Sequence, residues 1–214
     1  MDRKERYKFV TDYFRKNMPE AASELNYHNA YELLVAVMLS AQCTDKRVNM
    51  TTPAFFEAFP DAESLAKAEI PSIYNKIKSI SYPNSKAMHL KGMAEMLTER
   101  FNGVVPEDVE AMQQLPGVGR KTANVVASVM FGKAVMPVDT HVFRVSARIG
   151  LTTGAKTPLE TERQLVAQLD EKEIPIAHHW LILHGRYVCT ARSPHCGECG
   201  LREACREYSR RNKK

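Results

Sequence analysis

The residues best suited to chemistry are one lysine, one aspartate and a cluster of cysteines. Lys121 follows the glycine-containing segment 115–119, and Asp139 lies eighteen positions further along the chain. Four of the five cysteines lie close together near the C-terminal end: Cys189, Cys196, Cys199 and Cys205. An amine attacks electrophilic carbon, a carboxylate accepts protons or stabilises positive charge, and grouped thiolates bind metal. The sequence therefore offers a candidate nucleophile, a candidate carboxylate partner and a candidate metal site.

The segment before Lys121 has the pattern of a helix, a tight turn and a second helix. Pro116 ends the incoming helix, and Gly117 and Gly119 allow a turn whose backbone approaches another surface closely. Apolar residues then recur at helical spacing, so we predict that the second helix starts at about Gly119. The exposed N–H groups at such a helix start bind phosphate without reading base sequence.

Lys121 falls in the first turn of this second helix, where the positive end of the helix dipole disfavours a cation and favours the reactive free amine. Asp139 stands just before a helix predicted to begin near Thr140. Each residue also has a purely structural interpretation. Lys121 is then a solvated surface lysine, and Asp139 is an ordinary helix N-cap. The two residues taken singly leave both interpretations open.

The cysteines follow the pattern C-x6-C-x2-C-x5-C. Four thiolates with a single CxxC pair suit a [4Fe–4S] cluster. Zinc is the alternative, although structural zinc sites more often use two closely spaced pairs. In a reducing compartment, metal binding is favoured over disulfides for such a cluster.

The rest of the chain predicts an all-α protein. Apolar residues recur with helical spacing in most segments, and we find no convincing alternation typical of a strand. The segment 29–42 is apolar on all sides over Leu33–Leu39, which predicts a buried central helix. We expect the basic tail Ser209–Lys214 to be mobile.

Composition sets limits on the class of protein. The 214 residues are 44% hydrophobic and 26% charged, which is typical of a globular protein. The net charge of +5 suggests an anionic partner. The apolar run Leu33–Leu39 is far too short to span a bilayer. We expect a soluble intracellular protein with no membrane association.

Several motifs together resemble the endonuclease III family of DNA glycosylases. They are LPGVGRKTANVV from Leu115, VDTHVFRVSARIGL from Val138, SAQCTD at Ser40–Asp45, IKSI at Ile77–Ile80, NSKA at Asn84–Ala87, HGRYVC at His184–Cys189 and the four final cysteines. The resemblance covers nearly the whole chain, and the combination of motifs is specific.

The resemblance implies a two-lobed helix-hairpin-helix DNA glycosylase fold. A six-helix barrel domain would span residues 22–132 and contain the helix-hairpin-helix motif at 115–123. Residues 1–21 and 133–214 would form the second, iron-sulfur domain, with the cluster loop at 189–205. Lys121 and Asp139 would then face each other across the cleft between the domains.

The resemblance also implies a base excision repair function. The protein would remove oxidised or ring-saturated pyrimidines from duplex DNA and cleave the abasic site by β-elimination through a Schiff base on Lys121, with Asp139 as second catalytic residue. The four cysteines would hold a [4Fe–4S] cluster. We further expect a monomer in the bacterial cytoplasm, associated with the nucleoid and bound to duplex DNA that carries damaged bases or abasic sites.

Five further residues are predicted to contact DNA: Gln42, Tyr82, Gly117, Gly119 and Arg192. Gln42 would fill the gap left by the extruded nucleotide, or it is only a helix-terminal cap. Arg192 would contact phosphate, or it offsets cluster charge. Tyr82 lies in Ser81-Tyr82-Pro83, where family members usually carry glycine, a bulky apolar residue and an aromatic. The chain therefore departs from the family pattern at the segment that the resemblance implies contacts the opposite strand.

Two other functions remain open. A monofunctional mismatch or adenine glycosylase of the same superfamily would usually lack a lysine at position 121. A non-enzymatic helix-hairpin-helix protein that only grips the DNA backbone would need neither Lys121 nor Asp139.

Overall fold

The computed structural model describes residues 1–212, and the predicted Ser209–Lys214 tail ends outside this range. These residues form twelve α-helices and two short 3₁₀ turns, Glu171–Glu173 and Cys196–Glu198. The helices are α1 (Arg3–Asn17), α2 (Ala30–Ser40), α3 (Asp45–Ala58), α4 (Ala62–Lys67), α5 (Ile70–Ile77), α6 (Pro83–Phe101), α7 (Val109–Met112), α8 (Arg120–Phe131), α9 (Thr140–Ile149), α10 (Pro158–Val166), α11 (Ile174–Tyr187) and α12 (Arg206–Arg211). Residues 1–212 contain no β-strand, and the predicted all-α class is confirmed.

The chain divides into two compact units. One consists of Ser23–Gly132, and the other joins Met1–Ala22 to residues 133–214. The first unit therefore contains α2 to α8, and the second contains α1 and α9 to α12.

The unit of residues 23–132 is built around α2 and α6. Each residue of Leu33–Leu39 is at most 6% exposed, because α2 packs against α3, α6 and α8. The longest helix, α6, packs against α4 and α5 through its buried side chains, which include Leu90, Met93 and Leu97. Of the seven helices in this unit, α7 is a single four-residue turn just before the hairpin.

The second unit has its own hydrophobic core. Tyr7, Val10 and Phe14 on α1 pack among buried residues of α9 and α11. Asp2 caps α1 reciprocally with Glu5 in a capping box. Phe14 stacks on Trp180, with 5.7 Å between ring centroids, and the Trp180 indole donates to the Met18 carbonyl at 2.8 Å. These contacts fix the first helix against residues more than 160 positions later.

Three helix ends differ from the expectations. α7 covers only Val109–Met112 and so ends before it reaches Pro116, which was expected to end it. The chain leaves α2 at Ser40, so Gln42 lies beyond the helix rather than within it. Residues 209–211, expected to belong to a mobile tail, lie in α12, where Glu207 pairs with both Arg210 and Arg211 at helical spacing.

Candidate functional site

The predicted hairpin forms between α7 and α8. Leu115 and Val118 are buried at 2% and 5% exposure and fix the turn to the unit beneath it. Gly117 has φ +77°, and a Cβ at this position would lie 2.7 Å from His89 Cβ, so only glycine fits. Gly119 is the extended N-cap residue of α8 and has no side chain with which to cap it. The first N–H groups of α8 therefore start at an exposed glycine turn.

Lys121 is the second residue of α8, and its side chain is exposed. Neither Arg120 nor Lys121 complements the helix dipole at this end, where acidic residues are normally favoured. Lys121 is therefore an exposed amine at the start of a helix, and an amine is nucleophilic in its neutral form.

Asp139 is the N-cap of α9. Its Oδ1 accepts hydrogen bonds from the backbone N–H groups of His141 at 2.9 Å and Val142 at 2.8 Å. Its Oδ2 lies 2.9 Å from His141 Nδ1. Burial alone would raise the pKa of this carboxyl, but the bond from Val142 and the contact with His141 outweigh burial and hold the pKa below its usual range. Asp139 is thus a fixed, ionised carboxylate.

Sequence analysis did not single out His141. Its side chain is 31% exposed, and its Nδ1 holds the second carboxylate oxygen of Asp139. The available signal was the histidine two positions after an N-cap aspartate, where the first turn of a helix brings the two side chains together.

Gln42 and Tyr82 share an unusual backbone conformation. Gln42 has φ +54° and Tyr82 has φ +57°, which is the left-handed region that non-glycine residues rarely adopt. Both are exposed, Tyr82 at 64%. They line one open cavity of the unit, together with Met38, Ala41, Ser85, Lys86, His89, Leu90 and Gly117. The structure therefore brings three of the five predicted DNA contacts, Gln42, Tyr82 and Gly117, to one place.

Lys86 supports this cavity and was also missed at the sequence level. It is 8% exposed, and its Nζ donates to the carbonyls of Leu39 and Ala41, each at 2.7 Å. Burial lowers the pKa of Lys86. The two bonds satisfy carbonyls at the end of α2 and so fix the residue before Gln42. The NSKA motif contains this lysine, but its partners are 45 and 47 positions away.

The four cysteines line one cavity of the second unit. They are accompanied there by Ile149, His184, Val188, Pro194, Leu201, Arg202 and Tyr208. Burial raises the pKa of Cys199 and of Cys205, and the neighbouring cysteines raise both further, whereas nearby backbone N–H groups lower them. Four mutually repelling thiolates around one cavity are stable only with a positive group between them.

The donor set fits an iron-sulfur cluster. Within residues 1–212, no group of three or more His, Cys, Asp or Glu side chains is arranged to hold a single metal ion. The four cysteines line one cavity, and backbone N–H groups of Leu201, Glu207 and Tyr208 bond to two of their sulfurs, those of Cys199 and Cys205. Hydrogen bonds of this kind are typical around cluster sulfurs.

Two arginines of α9 hold the loop that joins the first two cysteines. Arg148 donates to the carbonyls of Thr190 and Ala191 at 2.7 and 2.8 Å, and it approaches Cys189 Sγ at 3.5 Å. Arg144 donates to the carbonyls of Gly185 and Cys189. Arg192 is exposed on this loop, in the position predicted for a phosphate contact.

Comparisons with known proteins agree on one family. Residues 35–170 match the HhH-GPD superfamily of base excision DNA repair proteins, and residues 189–205 match the iron-sulfur binding domain of endonuclease III. Endonuclease III of Rickettsia felis is 46% identical over 94% of this chain and 93% of its own length. Endonuclease III of Escherichia coli K12 is 41% identical over 97% of both chains.

Solved structures show the same similarity. A non-covalent endonuclease III–DNA complex matches with a TM-score of 0.94 and 41% identity over 100% of both chains. A trapped covalent endonuclease III–DNA intermediate matches with a TM-score of 0.93 and 41% identity over 99% of both chains. None of the helices in residues 1–212 has the length and apolar character required to cross a bilayer. On this sequence and structural similarity, the chain belongs to the endonuclease III family of base excision DNA glycosylases and abasic-site lyases.

Proposed function

We propose that Lys121 is the nucleophile and Asp139 the charge-stabilising carboxylate of this DNA glycosylase and abasic-site lyase. Lys121 lies in the first turn of a helix that starts at an exposed glycine turn. The relative with a TM-score of 0.93 was solved as a trapped covalent complex with DNA. This combination of an exposed amine at the hairpin helix and a covalent DNA adduct in a close structural relative carries the proposal.

The amine accounts for both activities. The nitrogen lone pair forms a bond to C1′ of the deoxyribose, and the bond to the damaged base breaks with its electron pair leaving on the base. Loss of a proton from nitrogen and opening of the sugar ring give a Schiff base. The imine makes the C2′ proton acidic, so its removal expels the 3′ phosphate by β-elimination. One lysine therefore removes the base and cuts the strand.

Asp139 acts in this proposal through its charge rather than as a strong base. Its Oδ1 is occupied by two backbone N–H groups, and its pKa lies below the usual range. A carboxylate of low pKa is a poor proton acceptor at neutral pH but a permanent negative charge. It would stabilise the positive charge that develops on the sugar as the base departs.

The unit of residues 23–132 supplies the proposed DNA surface. The exposed turn at Gly117 and Gly119 would bind backbone phosphate, and Gln42 and Tyr82 would enter the duplex where the damaged nucleotide leaves it. Arg192 would add a phosphate contact from the cluster loop. We propose oxidised or ring-saturated pyrimidines in duplex DNA as substrates, acted on by a monomer at the bacterial nucleoid.

The chain carries the iron-sulfur binding domain of endonuclease III, and we propose that its [4Fe–4S] cluster has a structural role. We propose that Cys189, Cys196, Cys199 and Cys205 bind the cluster, since these four line one cavity. Arg148 then holds the cluster loop by its carbonyls and by the Cys189 sulfur.

Borohydride trapping on DNA with a single abasic site tests the proposal. The wild type should form a covalent adduct, and Lys121→Gln should form none, because glutamine cannot make an imine. Lys67→Gln is the matched control, since Lys67 is an exposed lysine paired with Glu63 on α4. Trapping by Lys121→Gln at the wild-type rate would refute the assignment. If the wild type releases the base but is not trapped, the protein is a monofunctional glycosylase. If it binds DNA but shows neither activity, it is a non-enzymatic DNA-binding protein.

A further inference from the structure

Two polar side chains are buried in α8 without partners. Asn124 is 1% exposed and Ser128 is 2% exposed. Both polar atoms of the Asn124 amide and the Ser128 hydroxyl find no hydrogen-bond partner within the described part of the chain. A serine inside a helix usually bonds to the carbonyl four residues before it, and Ser128 does not.

Such groups are costly unless something satisfies them. A buried amide or hydroxyl that has given up its bonds to water without replacing them lowers the free energy of unfolding. Leucine or alanine would fill the same positions without that cost. The polar side chains therefore serve a purpose other than stability, or ordered water completes their hydrogen bonds.

The position of these residues relative to Lys121 indicates that purpose. Lys121, Asn124 and Ser128 have the spacing i, i+3 and i+7, so they lie on one face of α8. The rise of a helix places the Asn124 Cα about 4.5 Å below that of Lys121 along the axis. The face is exposed at Lys121 and buried from Asn124 onward.

We propose that Asn124, with Ser128, holds an ordered water beneath Lys121, and that this water positions the amine and receives its proton. The inference rests on the proposed role of Lys121. When nitrogen bonds to C1′ it carries a positive charge, and one N–H bond must break, with the electron pair staying on nitrogen, before the imine forms. The proton passes to the water and then to solvent. Asn124 Oδ1 orients the water by accepting a hydrogen bond from it, so that the oxygen of the water faces the amine. Asn124 is a positioning residue, because it acts through the water and the amine.

Asn124→Leu separates this role from a structural one. The isosteric leucine removes both unpartnered atoms, so the melting temperature should stay the same or rise. The single-turnover rate of adduct formation should fall at least tenfold, whereas the Kd for DNA with an abasic-site analogue should stay within twofold. Thr161→Val is the matched control: Thr161 is a buried, unpartnered hydroxyl in α10, and its replacement should change neither rate nor affinity.

Partial rescue sharpens the test. Asn124→Ser replaces the amide with a smaller hydroxyl and leaves room for water, so it should recover part of the rate that leucine loses. Ser128→Ala should lower the rate less than Asn124→Leu. A crystal structure of the enzyme should show water within about 3 Å of the Asn124 amide. An Asn124→Leu enzyme that reacts within twofold of the wild type, or a dry amide in the crystal, would overturn the inference.

The two proposals fail in distinguishable ways. If the wild type itself is not trapped by borohydride, the role of Lys121 is wrong. If the wild type is trapped and Lys121→Gln is not, while Asn124→Leu reacts normally, only the role of Asn124 is wrong.

Discussion

The N–H groups at the starts of α8 and α9 differ in whether a side chain of the protein caps them. Every helix begins with N–H groups that lack a partner within the helix. At α9 the Asp139 carboxylate occupies them, with bonds of 2.9 and 2.8 Å to His141 and Val142. At α8 the N-cap residue is Gly119, which brings no side chain, and the first two helical residues are Arg120 and Lys121.

The two helix starts therefore differ in what their N–H groups can bind. The closed end of α9 keeps its carboxylate ionised and fixed, because the helix itself holds the anion. The open end of α8 is suited to an anion from outside, and phosphate is the anion that DNA supplies. Glycine is an acceptable N-cap residue, so the missing side-chain cap costs α8 little stability and leaves its N–H groups available to a ligand.

The largest effect on the reaction rate is expected from Asp139→Ala, which removes the N-cap carboxylate at the start of α9. Single-turnover base release should fall about 10²–10³-fold, since a charge stabilising the transition state is lost. Stability should fall by about 1–2 kcal/mol, because the N-cap is lost as well. Urea unfolding and quenched-flow base release measure the two losses separately. Asp139→Asn is the control that retains a cap: it should lose rate but little stability, and equal stability losses in both variants would contradict this interpretation.

Acid should weaken the unit that contains α9. Burial, with a further contribution from Arg186, lowers the pKa of His179 on α11 to about 4, and α11 packs against α9. Because the unfolded state binds the proton more readily, stability is complete above about pH 6.5 and falls as pH drops toward 4, by up to about 3 kcal/mol. His179→Gln should flatten the dependence of unfolding free energy on pH in this window. His28→Gln is the control, since its side chain is 89% exposed, and an equal flattening there would refute the assignment.

Gly119→Asp would close the open end of α8. A Cβ at Gly119 meets no heavy atom of residues 1–212 within 4 Å, so the side chain fits. The carboxylate should cap α8 and raise stability slightly, by about 0.3 kcal/mol, whereas DNA affinity should fall about tenfold because the N–H groups are occupied and a negative charge faces phosphate. Fluorescence anisotropy at two salt concentrations measures the affinity. Gly119→Ala, which adds no acceptor, should change binding much less; equal losses would show that shape, not capping, matters.

The smallest effect is expected from His141→Ala. Only the bond to Asp139 Oδ2 is lost, since both backbone N–H groups still hold Oδ1. The rate should fall about fivefold with KM unchanged, which corresponds to about 1 kcal/mol. Steady-state kinetics on a lesion-containing duplex test this. A loss as large as that of Asp139→Ala would mean that His141 takes a direct part in the reaction.

Local patterns predicted the parts of the site that depend on neighbours in sequence. The hairpin, the α8 start near Gly119 and the N-cap at Asp139 follow from glycine, proline and capping rules that act over a few residues. The cysteine group was equally readable from spacing, because thiolates at such intervals have few other uses.

The remaining features depend on distant partners. Lys86 is significant because its partners are carbonyls 45 and 47 positions away, and no local sequence pattern indicates the positive φ of Gln42 and Tyr82. That the Asn124 amide is buried without hydrogen-bond partners can be seen only in the structure. The extension of α12 through residues 209–211 was missed because the basic composition of the tail outweighed the helical spacing of Glu207 and its two arginines.

The contact at Gly117 has a consequence for how DNA is inspected. A Cβ there would press on His89 of α6 and Met38 of α2, so the hairpin rests directly on the two helices that lead to Tyr82 and Gln42. The distance between the glycine turn, proposed to bind phosphate, and the side chains of Gln42 and Tyr82, proposed to enter the duplex, is therefore set by packing within this one unit. If both contacts are made, this distance is the same for every duplex that binds. A duplex that bends or opens easily at a lesion then reaches both contacts with less deformation energy than intact DNA.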